Sequence, residues 1–233
     1  MSDKQKNQTL SHKKLRAIHG EEYVKSFNKS DDGRISRLVN LMKLSENMIV
    51  VDFACGNGLL LSCIHKMIKY YYGVDFSENF IEEAKRLQNT RNIENAEFHC
   101  NEITDFCNNI EIKFDRAFSL DFSEHVYDRD FIEIARSIRK ILKHNGIFYL
   151  HTPNKEFFIE ILKDRGILRQ FPEHIAVRTA DEMVELLKEA GYRHINVSYL
   201  PHYLPILSYV DSFKFIPIVG KFARARLFIE CVP

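Results

Sequence analysis

Apolar and polar positions follow two periods along the chain, one suited to strands and one to helices. MIVVDFA (48–54) is a continuous apolar run, as expected of a strand covered on both faces. YYYGVDF (70–76), AEFHCNEI (96–103), FDRAFSLDF (114–122) and IFYLHTPN (147–154) read as further strands, and INVSYL (195–200) and ARLFIECV (225–232) as the last two. Between them apolar residues recur at helical spacing. LLLSCIHKMI (59–68), NFIEEAKRLQNT (79–90) behind a Ser77 cap, YDRDFIEIARSIRKILKHNG (127–146) closed by Gly146, and ADEMVELLKEAGY (180–192) predict helices. Residues 15–44 predict two more, broken around NKSDDG (28–33). Strands alternating with helices predict βαβ units, hence an α/β protein with a doubly wound, mostly parallel sheet of seven strands.

Composition narrows the function classes. The hydrophobic share of 45% is ample for a core. Net charge is +1, so no global field draws the chain to nucleic acid, and a local patch such as KFARAR (221–226) is the alternative. The five cysteines are odd in number and form no C-x-x-C pair, which reads as reduced thiols and leaves no zinc framework. No apolar run is long enough to span a bilayer, and the polar start MSDKQKNQTLSHKKLR is not a secretory leader, so the expected location is cytoplasmic.

The stretch VDFACGNG (51–58) carries the chemistry. In open α/β sheets ligands bind beyond the carboxyl ends of the strands. A dinucleotide site wants G-x-G-x-x-G, but Leu61 stands where the third glycine would be. Asp52 opens the loop with an anion, which repels a phosphate and suits a cation. S-adenosylmethionine carries an ammonium and a sulfonium and no phosphate. Asp75, at the end of YYYGVDF, has two carboxylate oxygens that match a ribose diol.

VVDFACGNG, GVDFS, HCNEITDF and FSLDFSEHV, in that order, resemble motifs I to IV of the class I S-adenosylmethionine-dependent methyltransferases. HNGIFYLHTPN is similar to the strand that follows in the small-molecule branch, the ubiquinone-biosynthesis O-methyltransferase-like proteins. The resemblance covers roughly residues 20 to 195. It implies a Rossmann-like single domain over 1–233, with an N-terminal arm and helical lid (1–46), a cofactor-binding core (47–154) and cap insertions (155–180 and 200–222). It implies S-adenosylmethionine as cofactor. Asp52 would orient the methionine ammonium, and Ala54, Cys55, Gly56, Asn57 and Gly58 would line the methionine moiety. Asp75 would bind the ribose, with Phe76 flanking the adenine. Asn101, Glu102 and Ile103 would lie beside the adenine amine, and Leu120, Asp121 and Phe122 under the sulfonium. In the lid, Tyr23 would lie over the cofactor and Arg34 would meet its carboxylate. Two departures stand out: Ala54 replaces the family's usual glycine, and Asn101-Glu102 replaces Gly-Asp.

The acceptor side is less marked. A hydroxyl acceptor benefits from a base of near-neutral pKa, usually histidine. His125, with Glu124 beside it to orient the ring, leads; His151 and His174 are alternatives, and Glu124 can itself face the sulfonium. No metal is expected. The Asn/Asp-Pro-Pro-aromatic motif of base-nitrogen methylation is replaced by Leu120-Asp121-Phe122-Ser123, so DNA is not an expected partner, and RNA is disfavoured. The aromatic stretch 199–222 and Phe157, Phe158, Ile161 and Leu162 suit an apolar acceptor or a peripheral membrane contact. The expected activity is O-methylation of a small, apolar molecule. The alternatives are an RNA methyltransferase and a non-catalytic cofactor-binding regulator.

Overall fold

The computed structural model describes residues 32–233 except Leu204, Lys214 and Ile218. The first expected lid helix, with Tyr23, lies outside the described residues. A seven-stranded sheet runs through the molecule in the order β3-β2-β1-β4-β5-β7-β6. Its strands are β1 (Ile49–Phe53), β2 (Tyr70–Asp75), β3 (Ala96–Cys100), β4 (Phe114–Leu120), β5 (Leu142–Pro153), β6 (Arg193–Leu200) and β7 (Arg226–Val232). The five strands from β3 to β5 are parallel, and β7 pairs antiparallel with both β5 and β6. The order reverses between β1 and β4, so the loops after these two strands face each other at the carboxyl edge.

Helices cover both faces: α1 (Asp32–Val39), α2 (Leu59–Ile64), α3 (Glu78–Thr90), α4 (Ile103–Asn109), α5 (Asp128–Ile141), α6 (Phe158–Asp164), α7 (Ala180–Glu189) and the short α8 (Pro205–Ser208). Each face has its own core. Phe53, Phe114, Phe131, Ile138, Met183 and Leu187 pack on one side; Leu38, Leu61, Ile64, Tyr71, Phe118 and Tyr149 on the other. Strict burial on both faces is why the central strands read as unbroken apolar runs. Helix starts follow their capping chemistry. The Ser77 hydroxyl accepts from the Phe80 amide, and Thr179 and Glu182 close a capping box on α7.

Two expectations need correction. Gly146 does not close a helix. α5 ends at Ile141, where Leu142 turns extended to pair with Phe114, and residues 143–146 bulge before pairing resumes at Arg116 and Ile147. AEFHCNEI is not a strand throughout: after Cys100 the chain turns into α4, which buries Ile103, Phe106 and Cys107. No described helix is long and apolar enough to cross a membrane.

The sheet has no room for a side chain at Gly73, where an added Cβ would fall 2.4 Å from the Phe98 ring and 3.1 Å from Cys55 Sγ. Gly73→Ala should therefore destabilise the protein by about 2 kcal/mol through overpacking, read as a lowered urea midpoint with unchanged slope.

Candidate active site

The loop after β1 is built from left-handed backbone. Ala54, Gly56 and Gly58 have φ of 55°, 53° and 77°. Ala54 thus holds a conformation that glycine adopts freely and that costs an L-residue roughly 1 kcal/mol. Gly58 caps α2, and an added Cβ there would crowd Ala84 and Phe98, both at 3.2 Å. Asp75 ties this loop to β2: one carboxylate oxygen accepts from the Gly56 amide (3.1 Å) and the other from the Ser77 amide (2.9 Å). A carboxylate has about four lone-pair sites, so capacity for a diol remains.

Beside this loop opens a cavity of about 340 Å³. Of the residues singled out in the sequence, Ala54, Gly56, Asp75, Phe76, Asn101, Glu102, Ile103, Leu120, Asp121, Phe122 and His125 line it. Phe80, Thr104, Val126, Tyr127, Asp130, Glu133, Ile134 and Ile175 complete the wall and escaped the sequence reading. Most come from the start of α5 and the loop before α7, whose packing against β4 no local motif announces. The described lining carries acids and no lysine or arginine, which suits a sulfonium and an ammonium better than a pyrophosphate.

Asp52, Cys55, Asn57, Gly58, Arg34, Glu124 and His151 stand behind this wall. Asp52 is 3% exposed and accepts a 2.6 Å hydrogen bond from the buried Tyr71 hydroxyl. Burial pushes its carboxyl up to about 7; the Tyr71 bond opposes that rise and Asp75 adds to it. Cys55 packs into the core beneath Gly73.

Arg34 reaches from α1 to Asp121 and pairs with it, so its guanidinium meets a protein carboxylate rather than standing open. Arg226, at the start of β7, donates to the same carboxylate at 2.9 Å. His151 Nδ1 lies 2.9 Å from it, off the hydrogen-bonding line. Burial works against ionisation of Asp121, but His151 and the Arg226 and Arg34 guanidiniums outweigh it and hold the carboxyl well below the usual range. His151 itself is pushed down by burial. Sequence reading missed Arg226, grouping it with a surface cluster; its position on a buried strand, two residues from Phe228, was the available signal.

A 3₁₀ turn, Ser123–His125, follows β4. Glu124 is 1% exposed and accepts from the Thr152 hydroxyl at 3.0 Å. Burial first, then the Asp121 charge, push its carboxyl up to about 8. The expected orienter of His125 was Glu124, but the contact that fixes the His125 ring is a carbonyl: Nδ1 lies 3.0 Å from Glu173 O. A carbonyl only accepts, so Nδ1 carries the proton. Burial pushes the His125 pKa down, against backbone hydrogen bonds to Glu173 and Asp121 that push it up. His174 packs edge-on against His125 at 5.2 Å and is pushed down to about 3 by burial. Glu124, His125 and His174 each offer one ligand atom within 4.8 Å of the others, the described residues' candidate for a metal.

Comparison with known proteins places this geometry. A family model described as a methyltransferase domain matches residues 44–191. The chain belongs to that family. Family and fold together make it a class I methyltransferase, and S-adenosylmethionine is the cofactor of that class. The ubiquinone biosynthesis O-methyltransferase of Neisseria meningitidis serogroup A is 28% identical over 107 residues, 46% of this chain and 44% of that protein. Its Coxiella burnetii counterpart is 23% identical over 169 residues, 70% of each. The chain thus spans about half the length of the first curated relatives it matches. Among solved structures, the DhpI–SAM–HEP complex superposes with a TM-score of 0.68 at 16% identity, covering 97% of this chain and all of that one. A SAM-dependent methyltransferase from Archaeoglobus fulgidus also gives 0.68, at 14% identity, over 91% of this chain and 98% of the other.

Asp52 provides a test of the site's electrostatics. A carboxyl raised in the native state binds more protons there than when unfolded, so its ionisation subtracts stability as pH rises from about 4 to about 7. Asp52→Asn keeps an acceptor for Tyr71 and removes that cost. Its melting temperature should exceed the wild type's by a margin that grows between pH 5 and pH 8, reaching roughly 2 °C or more.

Proposed function

We propose that the chain transfers the methyl group of S-adenosylmethionine to an oxygen of a small, apolar acceptor, with His125 as the base. The observation that carries this reading is the His125 ring, held by the Glu173 carbonyl in the wall of the cavity. Around it Val126, Ile134 and Ile175 form an apolar surface, next to the residues assigned to the cofactor. When bound, the cofactor supplies an activated methyl carbon, whose bond to sulfur breaks as the acceptor oxygen attacks, leaving the bond's electrons on sulfur. His125 takes the acceptor's proton, and the surrounding apolar walls exclude water from the reacting atoms.

The other residues divide the cofactor between them. Asp75 receives the ribose, Phe76 and Ile103 flank the adenine, and Asn101 and Glu102 bond its amine. Ala54 and Gly56 bring backbone against the methionine moiety, with Asp52 beneath them and Leu120, Asp121 and Phe122 under the sulfonium. The relatives named as ubiquinone biosynthesis O-methyltransferases favour a phenolic oxygen. Exposed Phe171, Tyr209, Phe213 and Phe215, with the exposed Lys221 close by in sequence, favour a peripheral membrane contact through which an apolar acceptor would arrive.

The test is calorimetric binding followed by turnover on a panel of apolar phenols. Asp75→Ala should abolish micromolar binding of S-adenosylmethionine and its demethylated product. His125→Gln should keep that binding and lower kcat about 100-fold. Binding without turnover on any acceptor would favour the regulator, and salt-sensitive RNA binding the RNA methyltransferase.

A further inference from the structure

We propose that Arg178 is the positioning residue for His125, an inference that rests on reading His125 as the base. Arg178 stands just ahead of α7 and is 3% exposed. Its Nη1 donates to the Ser123 carbonyl at 2.6 Å and its Nη2 to the Val126 carbonyl at 2.7 Å. Its Nε donates to Asp128 at 2.8 Å, and the guanidinium lies 5.3 Å from the centre of the Phe131 ring. Ser123 and Val126 are the residues on either side of Glu124 and His125. One planar fork therefore grips both ends of the turn that carries the base.

The fork is itself tied to the sheet. The Arg178 carbonyl accepts from the Lys155 amide at 3.0 Å, and Arg178 forms a parallel bridge with Asn154, just past β5. The same segment supplies the other restraints on the turn: Glu173 O fixes the His125 ring, and the Ala176 amide donates to Glu124 O at 3.0 Å. Residues 173–178 thus hold the turn from its backbone and from its ring at once.

Only arginine satisfies this arrangement. Two carbonyls and a carboxylate each take a different nitrogen of one guanidinium, whereas a lysine ammonium is a point donor on a flexible stem. Stability alone explains the residue poorly. Its anionic partner among the described residues, Asp128, is 56% exposed and repays little of the cost of burying a charge. An apolar side chain of similar volume would avoid that cost but leave the Ser123 and Val126 carbonyls without this donor, so what the charge secures is the pair of bonds that place the turn.

The test compares Arg178→Met, Arg178→Lys and Asp128→Asn. Displacing a catalytic group by an ångström costs up to about 100-fold, so Arg178→Met should lower kcat about 10- to 100-fold and Arg178→Lys by less. Cofactor affinity should stay within about twofold, and Asp128→Asn, which keeps both carbonyl bonds, should stay within about threefold in kcat. The second readout needs no turnover: ring-nitrogen NMR signals of His125, assigned with His125→Gln, should shift or broaden in Arg178→Lys while those of His99 stay put. If Arg178→Met fails to fold, Arg178→Lys carries both readouts. Unchanged His125 signals overturn the proposal, as does a loss of cofactor affinity in step with kcat. Moved signals in an enzyme that turns over no acceptor would support the placement and sink the base.

Discussion

One part-buried carboxylate, Asp121, holds the candidate active site together. It ends β4 in a left-handed conformation, with φ of 56°, and its amide donates to the His151 carbonyl at 2.7 Å. Its side chain takes Arg34 from α1 and Arg226 from β7. Three elements separated by most of the chain therefore meet on a single group. A carboxylate so placed is tolerated because two guanidiniums meet it, and each guanidinium is tolerated because it meets the carboxylate. Removing Asp121 strips both guanidiniums of their shared anion, whereas removing either arginine leaves the carboxylate with the other. The Arg226 guanidinium also lies 5.1 Å from the centre of the Tyr203 ring, so the aromatic segment before β7 leans on the same group.

The sheet topology explains why this group sits where chemistry can happen. β1 and β4 are neighbours at the point where strand order reverses, and the loops after them face each other across a cleft. The β1 loop brings backbone through Ala54, Gly56 and Gly58; the β4 loop brings side chains through Asp121, Glu124 and His125. Asp75 closes the third side from β2 by accepting from Gly56. Each loop is held by a group from a different strand, so the cleft keeps its shape without a ligand.

Much of this was legible in the residues. Unbroken apolar runs such as MIVV predicted central strands because those strands are buried on both faces, and the loop at 54–58 was readable because alternate left-handed positions favour glycine. What stayed hidden was long-range. Arg226 sits 105 residues from the carboxylate it serves, and Glu173, which fixes His125 through its carbonyl, does so with an atom every residue possesses. Its side chain could carry no signal. The short α4 was lost because seven residues with three apolar positions do not separate from a strand by period alone. Gly146 misled for the opposite reason: a residue that often ends helices here serves a strand bulge.

The carboxyl groups around the cleft divide by environment, and the division bears on the ligand. Asp121 is held ionised by its arginines, while burial pushes Asp52 and Glu124 up towards the neutral form near pH 7. The field at the cleft is thus set by a few fixed charges rather than by every acid nearby. Asp52, hydrogen-bonded to Tyr71 and set back from the cavity lining, would ionise more readily beside a cation, because a positive neighbour lowers a carboxyl pKa. A pyrophosphate would do the reverse and drive the same group further towards its neutral form, losing the interaction as it bound. An acid beneath a glycine loop therefore favours a ligand whose positive charge completes the acid's ionisation, and offers a pyrophosphate nothing in return.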